Sequence, residues 1–478
     1  MDQLTTLDAG FLHAEDSDRH VSLAIGGLAV VEGPAPDHRE MLSTFAKRMT
    51  ACPRFAQRLR THTFDFGAPE WVDDPDFDVT HHVRRVAVPH PGDDATLFEI
   101  VADLMATRLD RDRPLWEIWI IEGLTENRWA MLTKVHHCMA DGIAATHMLA
   151  GLCDDGIGES FANHIRAAKE HSATGQPAAA RKAASATRFF VNPVELAGEL
   201  WNASAAITTA AARAAQGAAG IAMGLLDRSA STTLNGPVSN LRRYGAARVA
   251  LDDIATICRA FDVTVNDVAL AAVTESYRSM LIRRGEKPLP ESLRTLVPVS
   301  MRGADALGQT DNRVSLMLPY LPIEEENPVR RLRAVHSRLD RTKSSGQRQA
   351  GGAMFALANH IPFALTAWTM RLLTRMPQRG VVTVATNVPG PRRPLHIMGR
   401  QVLGVFPVPP IAMQLRSGVA MLSYADHLFF GILTDFEAIP EAAELARGIE
   451  VAVDRLTKSS TKRKPATERH GMALVHSA

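Results

Sequence analysis

Trp129-Ala-Met-Leu-Thr-Lys-Val-His136-His137-Cys138-Met139-Ala140-Asp141-Gly142 is an apolar run that ends in two histidines, a short loop and Asp-Gly. A helical pattern follows from Ile143 to Leu152. Strand, turn and helix in that order point to a layered α/β structure. Neighbouring strand side chains point to opposite faces, so His136 and His137 are not expected to share one ligand or one proton. One should face a cavity while the other supports the backbone or packs inside. Asp141 is placed to cap the helix or to pair with a distant Arg, and Gly142 permits the tight turn. Zinc needs three or four convergent ligands, and no HExxH or cysteine cluster accompanies the pair, so no metal is expected.

Outward from this stretch the chain alternates elements. On the N-terminal side, β-like runs (Val21–Val31, Ile118–Glu122, Trp129–Val135) interleave with helical patterns (His38–Thr50, Thr96–Leu109). Beyond it, strands (Leu293–Val299, Val381–Ala385, Gly418–Leu422, Leu428–Leu433) interleave with helices (Val265–Arg284, Pro328–Lys343, Glu441–Lys458). Between them lies an Ala-rich stretch, with 11 Ala in residues 203–222, helical by propensity. The expected organisation is an N-terminal domain over 1–160, a helical connector over 161–233, a C-terminal domain over 234–458 and a flexible basic tail over 459–478. No fixed-period repeat points to a solenoid.

Composition bounds the function. The 478 residues suggest two or three domains at about 100–200 residues each. Lys and Arg number 53 against 52 Asp and Glu, a net charge of +1 that argues against nucleic acid as the partner. With 46% hydrophobic and 22% charged residues, extensive disorder is excluded. Cys52, Cys138, Cys153 and Cys258 are scattered, which fits a reducing cytoplasm. No secretory signal and no apolar run of about 20 residues is visible. A protein of this kind that handles lipid is expected to do so from a membrane or droplet surface.

The motif His136-His137-Cys138-Met139-Ala140-Asp141-Gly142 resembles the HHxxxDG signature of the CoA-dependent acyltransferase superfamily, which includes chloramphenicol acetyltransferase and condensation domains. Pro114-Leu115-Trp116-Glu117 resembles the PLWE motif of the bacterial wax ester synthase/diacylglycerol acyltransferase family, and Asn266-Asp267-Val268-Ala269-Leu270-Ala271 its ND motif. Leu7–Leu12, Leu234-Asn235-Gly236-Pro237, Val297–Arg302 and Thr386-Asn387-Val388-Pro389-Gly390-Pro391 resemble further family blocks in the same order. The resemblance spans about residues 4 to 455. It implies two α/β domains of the chloramphenicol acetyltransferase type, with mixed sheets and the active site at their interface.

It also implies an O-acyltransferase that makes triacylglycerol from diacylglycerol and long-chain acyl-CoA, or wax esters from fatty alcohols. Acyl-CoA is then a substrate and no bound cofactor is expected. By the family pattern His137 is the general base, a role that suits an imidazole of ordinary pKa about 6.5, with His136 in support. No acyl-enzyme is required, so Cys138 is not sought as a nucleophile. Asn266 serves the oxyanion site, as N-cap, or both, beside Asp267. Asp141 and Gly142 are structural, with Arg302 the partner expected for Asp141 by analogy. Pro114, Leu115, Trp116 and Glu117 are architectural, and Thr386–Pro391 is a rigid turn that shapes the tunnel or serves structure alone. The apolar segment Met354–Met376, with Phe363 and Trp368, packs in the core or touches lipid. The alternatives are an acyltransferase for another alcohol and a weakly catalytic lipid-binding or droplet-associated paralogue.

Overall fold

The computed structural model describes residues 3–49, 52–62, 67–154, 233–300, 314–344 and 380–461. Helix α1 (Thr6–Ser17) starts at Thr5, whose hydroxyl accepts the Asp8 N–H. There follow β1 (Ala24–Glu32), α2 (His38–Met49), β2 (Gln57–Arg60), β3 (Glu70–Asp73), β4 (Val83–Ala87), α3 (Asp94–Ala106), β5 (Trp116–Leu124), β6 (Arg128–His136) and α4 (Gly142–Gly151). After residue 233 come β7 (Arg242–Ala250), α5 (Leu251–Phe261), α6 (Val265–Arg283), β8 (Thr295–Ser300), β9 (Val314–Met317), α7 (Pro328–Ser344), β10 (Thr383–Val388), β11 (His396–Ile397), β12 (Arg400–Val408), β13 (Ser417–Tyr424), β14 (His427–Asp435) and α8 (Ala442–Thr461).

Two six-stranded mixed sheets result, ordered β11-β12-β1-β6-β5-β4 and β7-β14-β13-β10-β8-β9, beside a β2–β3 ribbon. The first sheet is covered on one face by α3, whose Leu97, Val101 and Met105 are buried, while Phe45 of α2 and Leu149 of α4 are also buried in its core. In the second, α6 is buried along most of Asp267–Leu281, with only Glu275, Arg278 and Ser279 of that stretch partly exposed, as suits a helix packed between neighbours.

One feature departs from a division at residue 234. Residues 396–408, expected in the C-terminal domain, pair in the first sheet, with β12 antiparallel to β1 and Leu28 opposite Phe406. Strand β1 buries Leu28, Ala29, Val30 and Val31, so an unpaired edge there would strand backbone N–H and C=O groups inside the protein. Gly404 and Pro407 hide β12 from a strand pattern. Pro407 is tolerated because β11 pairs only with the start of β12, so no neighbouring strand needs an N–H from Pro407.

Strand β12 also joins the halves. Phe406 meets Phe429 edge-on with centroids 4.9 Å apart, and the Tyr244 hydroxyl donates to Pro407 O at 3.0 Å. A β-carbon on Gly431 would lie 1.6 Å from Pro407 O, so only glycine permits this approach. At the other end of the chain, α8 runs through Thr461, so residues 459–461 close a helix instead of opening the tail. Residues 161–232 of the expected connector, Met354–Met376 and the remainder of the tail lie outside the described residues.

Candidate active site

Strand β6 lies between β1 and β5, so its end is held from both sides. The His136 N–H donates to Leu115 O at 3.0 Å and the His137 N–H to Leu23 O at 2.9 Å. The chain then turns, with the Met139 N–H donating to His136 O at 2.9 Å. This geometry separates the two histidines in environment. His136 is buried at 1% exposure, and His137, the first residue past the strand, is half-buried.

The His136 ring is oriented from two directions. Its Nδ1 accepts the Cys138 N–H at 3.1 Å, so a neutral ring carries its proton on Nε2. That Nε2 faces Glu15 Oε2 at 3.5 Å, an ion-pair distance beyond the usual range of about 2.7–3.2 Å for an N–H···O hydrogen bond, and among the described residues it has no hydrogen-bond partner. Glu15 itself is buried; it accepts from Arg111 Nη2 at 2.7 Å and from the Leu23 N–H at 3.0 Å. Burial pushes the Glu15 carboxyl up, but His136, Arg111 and the Leu23 amide outweigh it and hold it at about 2.

The His137 ring stacks on Phe11 of α1, centroids 4.1 Å apart and planes 13° from parallel. Close packing disfavours the imidazolium, and neighbouring His136 adds to this, so the pKa falls to about 4. At neutral pH the ring is uncharged and can take a proton. Cys138 is the reverse case. It is buried, and desolvation raises its thiol well above the ordinary range, which removes the thiolate that a nucleophile needs.

Asp141 caps α4, its Oδ1 accepting the Ala144 N–H at 2.8 Å. Gly142 is where the halves meet beside the histidines, because a β-carbon there would lie 2.8 Å from Val388 Cγ2. Val388 ends β10, and the turn beyond it is tight: a β-carbon on Gly390 would lie 2.2 Å from Ser423 O.

Pro114, Leu115 and Trp116 are buried beside the end of β6. Trp116 pairs with Val135 across the sheet, and its Nε1 donates to Phe55 O at 2.8 Å. It also stacks on His82, centroids 4.5 Å apart. Glu117 is half-buried, 3.7 Å from Arg84 and 3.9 Å from the buried Lys134. Lys134 donates to Leu104 O at 2.8 Å and Thr107 O at 2.7 Å, so it ties the end of α3 to the strand that carries the histidines.

Asn266 lies in the first turn of α6, but the cap is Thr264, which forms a reciprocal capping box with Asp267. Asp267 also accepts from His336 Nδ1 of α7 at 2.8 Å. The half-buried Asn266 side chain is thereby released from capping. Among the described residues, no hydrogen bond or ion pair joins Asn266 to His137. Arg302 lies outside the described residues. Phe11 lies within the block Leu7–Leu12 but had no assigned role, and Glu15 and Arg111 were missed by sequence reasoning. An apolar residue and a carboxylate at i and i+4 on α1 hint at the first two, and nothing near Arg111 hints at the third.

The chain matches the family model of the wax ester synthase/diacylglycerol acyltransferase catalytic domain over residues 4–269. It matches that of the WS/DGAT C-terminal domain over residues 310–457. It is 61% identical to a probable diacylglycerol O-acyltransferase, tgs1, of Mycobacterium tuberculosis, over 99% of this chain and 100% of the relative. A putative diacylglycerol O-acyltransferase of the same organism is 43% identical, over 100% of this chain and 99% of the relative. Among solved structures, the wax ester synthase/diacylglycerol acyltransferase from Marinobacter aquaeolei VT8 is similar with a TM-score of 0.65 at 24% identity, covering 96% of this chain and 100% of that one. The first condensation domain of the calcium-dependent antibiotic synthetase is similar with a TM-score of 0.59 at 16% identity, covering 97% of each chain. These two likenesses concern the fold, two α/β halves of the chloramphenicol acetyltransferase type.

Proposed function

The chain belongs to the wax ester synthase/diacylglycerol acyltransferase family, and on that premise we propose that His137 is the base of its acyl transfer. The protein is an acyl-CoA-dependent diacylglycerol O-acyltransferase that makes triacylglycerol. In the proposed step the acceptor oxygen attacks the thioester carbonyl carbon while His137 takes the hydroxyl proton. The C–S bond of the tetrahedral intermediate then breaks, and the departing CoA sulfur takes that proton from His137. Ester and free CoA leave, and the ring is neutral again. Long-chain donors are the expected substrates, and fatty alcohols, giving wax esters, are a second acceptor class.

The observation that carries this reading is the half-buried His137 ring at the end of β6, stacked on Phe11 and set beside a fully buried histidine, in packing that lowers its pKa and so favours the neutral form. Asn266 supports it: its amide is free of capping and sits where helix N–H groups are unsatisfied, which suits it to stabilise the oxyanion. The lipid nature of the expected substrates supports a site of action at a membrane or droplet surface. No helix among the described residues is long and apolar enough to cross a membrane.

The test is CoA release from palmitoyl-CoA with dioleoylglycerol or hexadecanol. Wild type should release CoA in an alcohol-dependent manner, and His137→Ala should lose at least about 100-fold. Undiminished release by the variant would overturn the base assignment. No release by wild type with any alcohol would favour a lipid-binding paralogue.

A further inference from the structure

Helix α1 contacts both histidines of the motif. Phe11 and Glu15, one helical turn apart, face His137 and His136 respectively: Phe11 stacks on the one ring at 4.1 Å and Glu15 Oε2 lies 3.5 Å from Nε2 of the other. The connection to His137 is double. Glu15 Oε1 accepts the Leu23 N–H at 3.0 Å, and Leu23 O accepts the His137 N–H at 2.9 Å. Arg111 completes the group, bridging Glu15 at 2.7 Å and Asp16 at 2.8 Å.

We propose that Glu15 is a positioning residue for the acyl transfer, fixing His136 as its Nε2–H tautomer and, through Leu23, the backbone from which His137 projects. The inference rests on His137 being the base. A carboxylate at this depth is costly unless donors surround it, and an apolar side chain would fill the same volume without that cost. What the carboxylate adds is a requirement that everything facing it be a donor. The Arg111 guanidinium and the Leu23 N–H meet it with hydrogen bonds, and His136 Nε2, 3.5 Å away and buried without a hydrogen-bond partner among the described residues, suits it only when it carries the proton. The Cys138 N–H imposes the same tautomer from the opposite side of the ring.

A glutamine in this place has the right size and the wrong chemistry. Its single oxygen can serve either the Leu23 N–H or the Arg111 and His136 side, and its amide N–H groups then confront a donor. An aspartate is shorter but keeps both acceptors. The chemical requirement and the packing requirement therefore rank the two substitutions in opposite orders.

The experiment compares Glu15→Gln and Glu15→Asp in full-length enzyme with palmitoyl-CoA and dioleoylglycerol, alongside 15N-histidine spectra of wild type. Glu15→Gln should lower kcat by about 10–100-fold with KM little changed, as expected for a displaced base, and Glu15→Asp should retain more kcat than Glu15→Gln. In wild type the His136 signal should be that of an Nε2–H ring. The proposal is overturned if Glu15→Gln is as active as wild type or more active than Glu15→Asp, or if His136 is an Nδ1–H ring. An Nδ1–H ring in the wild-type spectrum overturns the proposal even where a variant does not fold. If His137→Ala keeps full activity, it is the base assignment that fails, whatever Glu15 does.

Discussion

Val388 Cγ2 stands 2.8 Å from the position a β-carbon on Gly142 would occupy. The first residue of α4 and the last of β10 are thus pressed together, and the histidine turn is shaped by both halves of the chain.

This contact predicts that Gly142→Ala is destabilising. In an open helix the change would help by about 0.5–1 kcal/mol, but here the new methyl must displace Val388, and overpacking costs about 1–3 kcal/mol. Val388→Ala should restore part of the loss, giving a coupling of about 0.5–3 kcal/mol in a double-mutant cycle. Urea denaturation of the four proteins measures it, and an unchanged midpoint for Gly142→Ala would remove the contact from the account.

The depressed pKa of His137 predicts the pH profile. A base held at about 4 instead of 6.5 stays neutral well into acid. The acid limb of kcat/KM, which reports the free enzyme, should therefore fall near pH 4, with no break near 6.5. A limb at the ordinary imidazole value would contradict this.

The same shift sets the direction of acid denaturation. Between 6.5 and about 4 the unfolded chain takes up a proton at His137 that the folded chain refuses, so stability falls as pH falls through that window. Glu15 acts in the same direction lower down. Its stabilisation is complete above 4.5 and is lost as pH drops toward about 2. Melting temperatures should decline through both ranges, and His137→Ala should flatten the upper one.

Asp141→Ala should lose the α4 cap at a cost of about 0.5–2 kcal/mol, while Asp141→Asn, which keeps an acceptor for the Ala144 N–H, should lose less. Equal losses in thermal denaturation would show that charge, not capping, is what the site needs.

Trp116→Ala should destabilise by about 3–5 kcal/mol through the cavity it leaves. Trp116→Phe keeps most of the volume but abandons the buried Phe55 carbonyl, a cost of about 1–3 kcal/mol. A Phe variant as stable as wild type would show that the indole N–H contributes nothing.

Local patterns were legible where one segment carries its own signal. The run Trp129–Val135 became β6, and the pattern after Asp141 became α4, because periodicity and capping are set by neighbours in sequence. The unequal environments of His136 and His137 also followed from position at a strand end. The N-cap reading of Asn266 failed although the signal was there: Thr264 and Asp267, spaced as a capping box, satisfy each other's backbone N–H groups and leave Asn266 inside the first turn.

What the sequence by itself determined is the alternation of strands and helices, the motif residues and, through them, the family. Each depends on residue type and short-range order. Tertiary structure alone decided that β12 completes the first sheet, that Val388 meets Gly142, and that Phe11, Glu15 and Arg111 surround the two histidines. Buried backbone groups and a buried carboxylate must find partners wherever the fold supplies them, and those partners lie far away along the chain. A carboxylate on α1 has no visible purpose until the fold brings a histidine to face it.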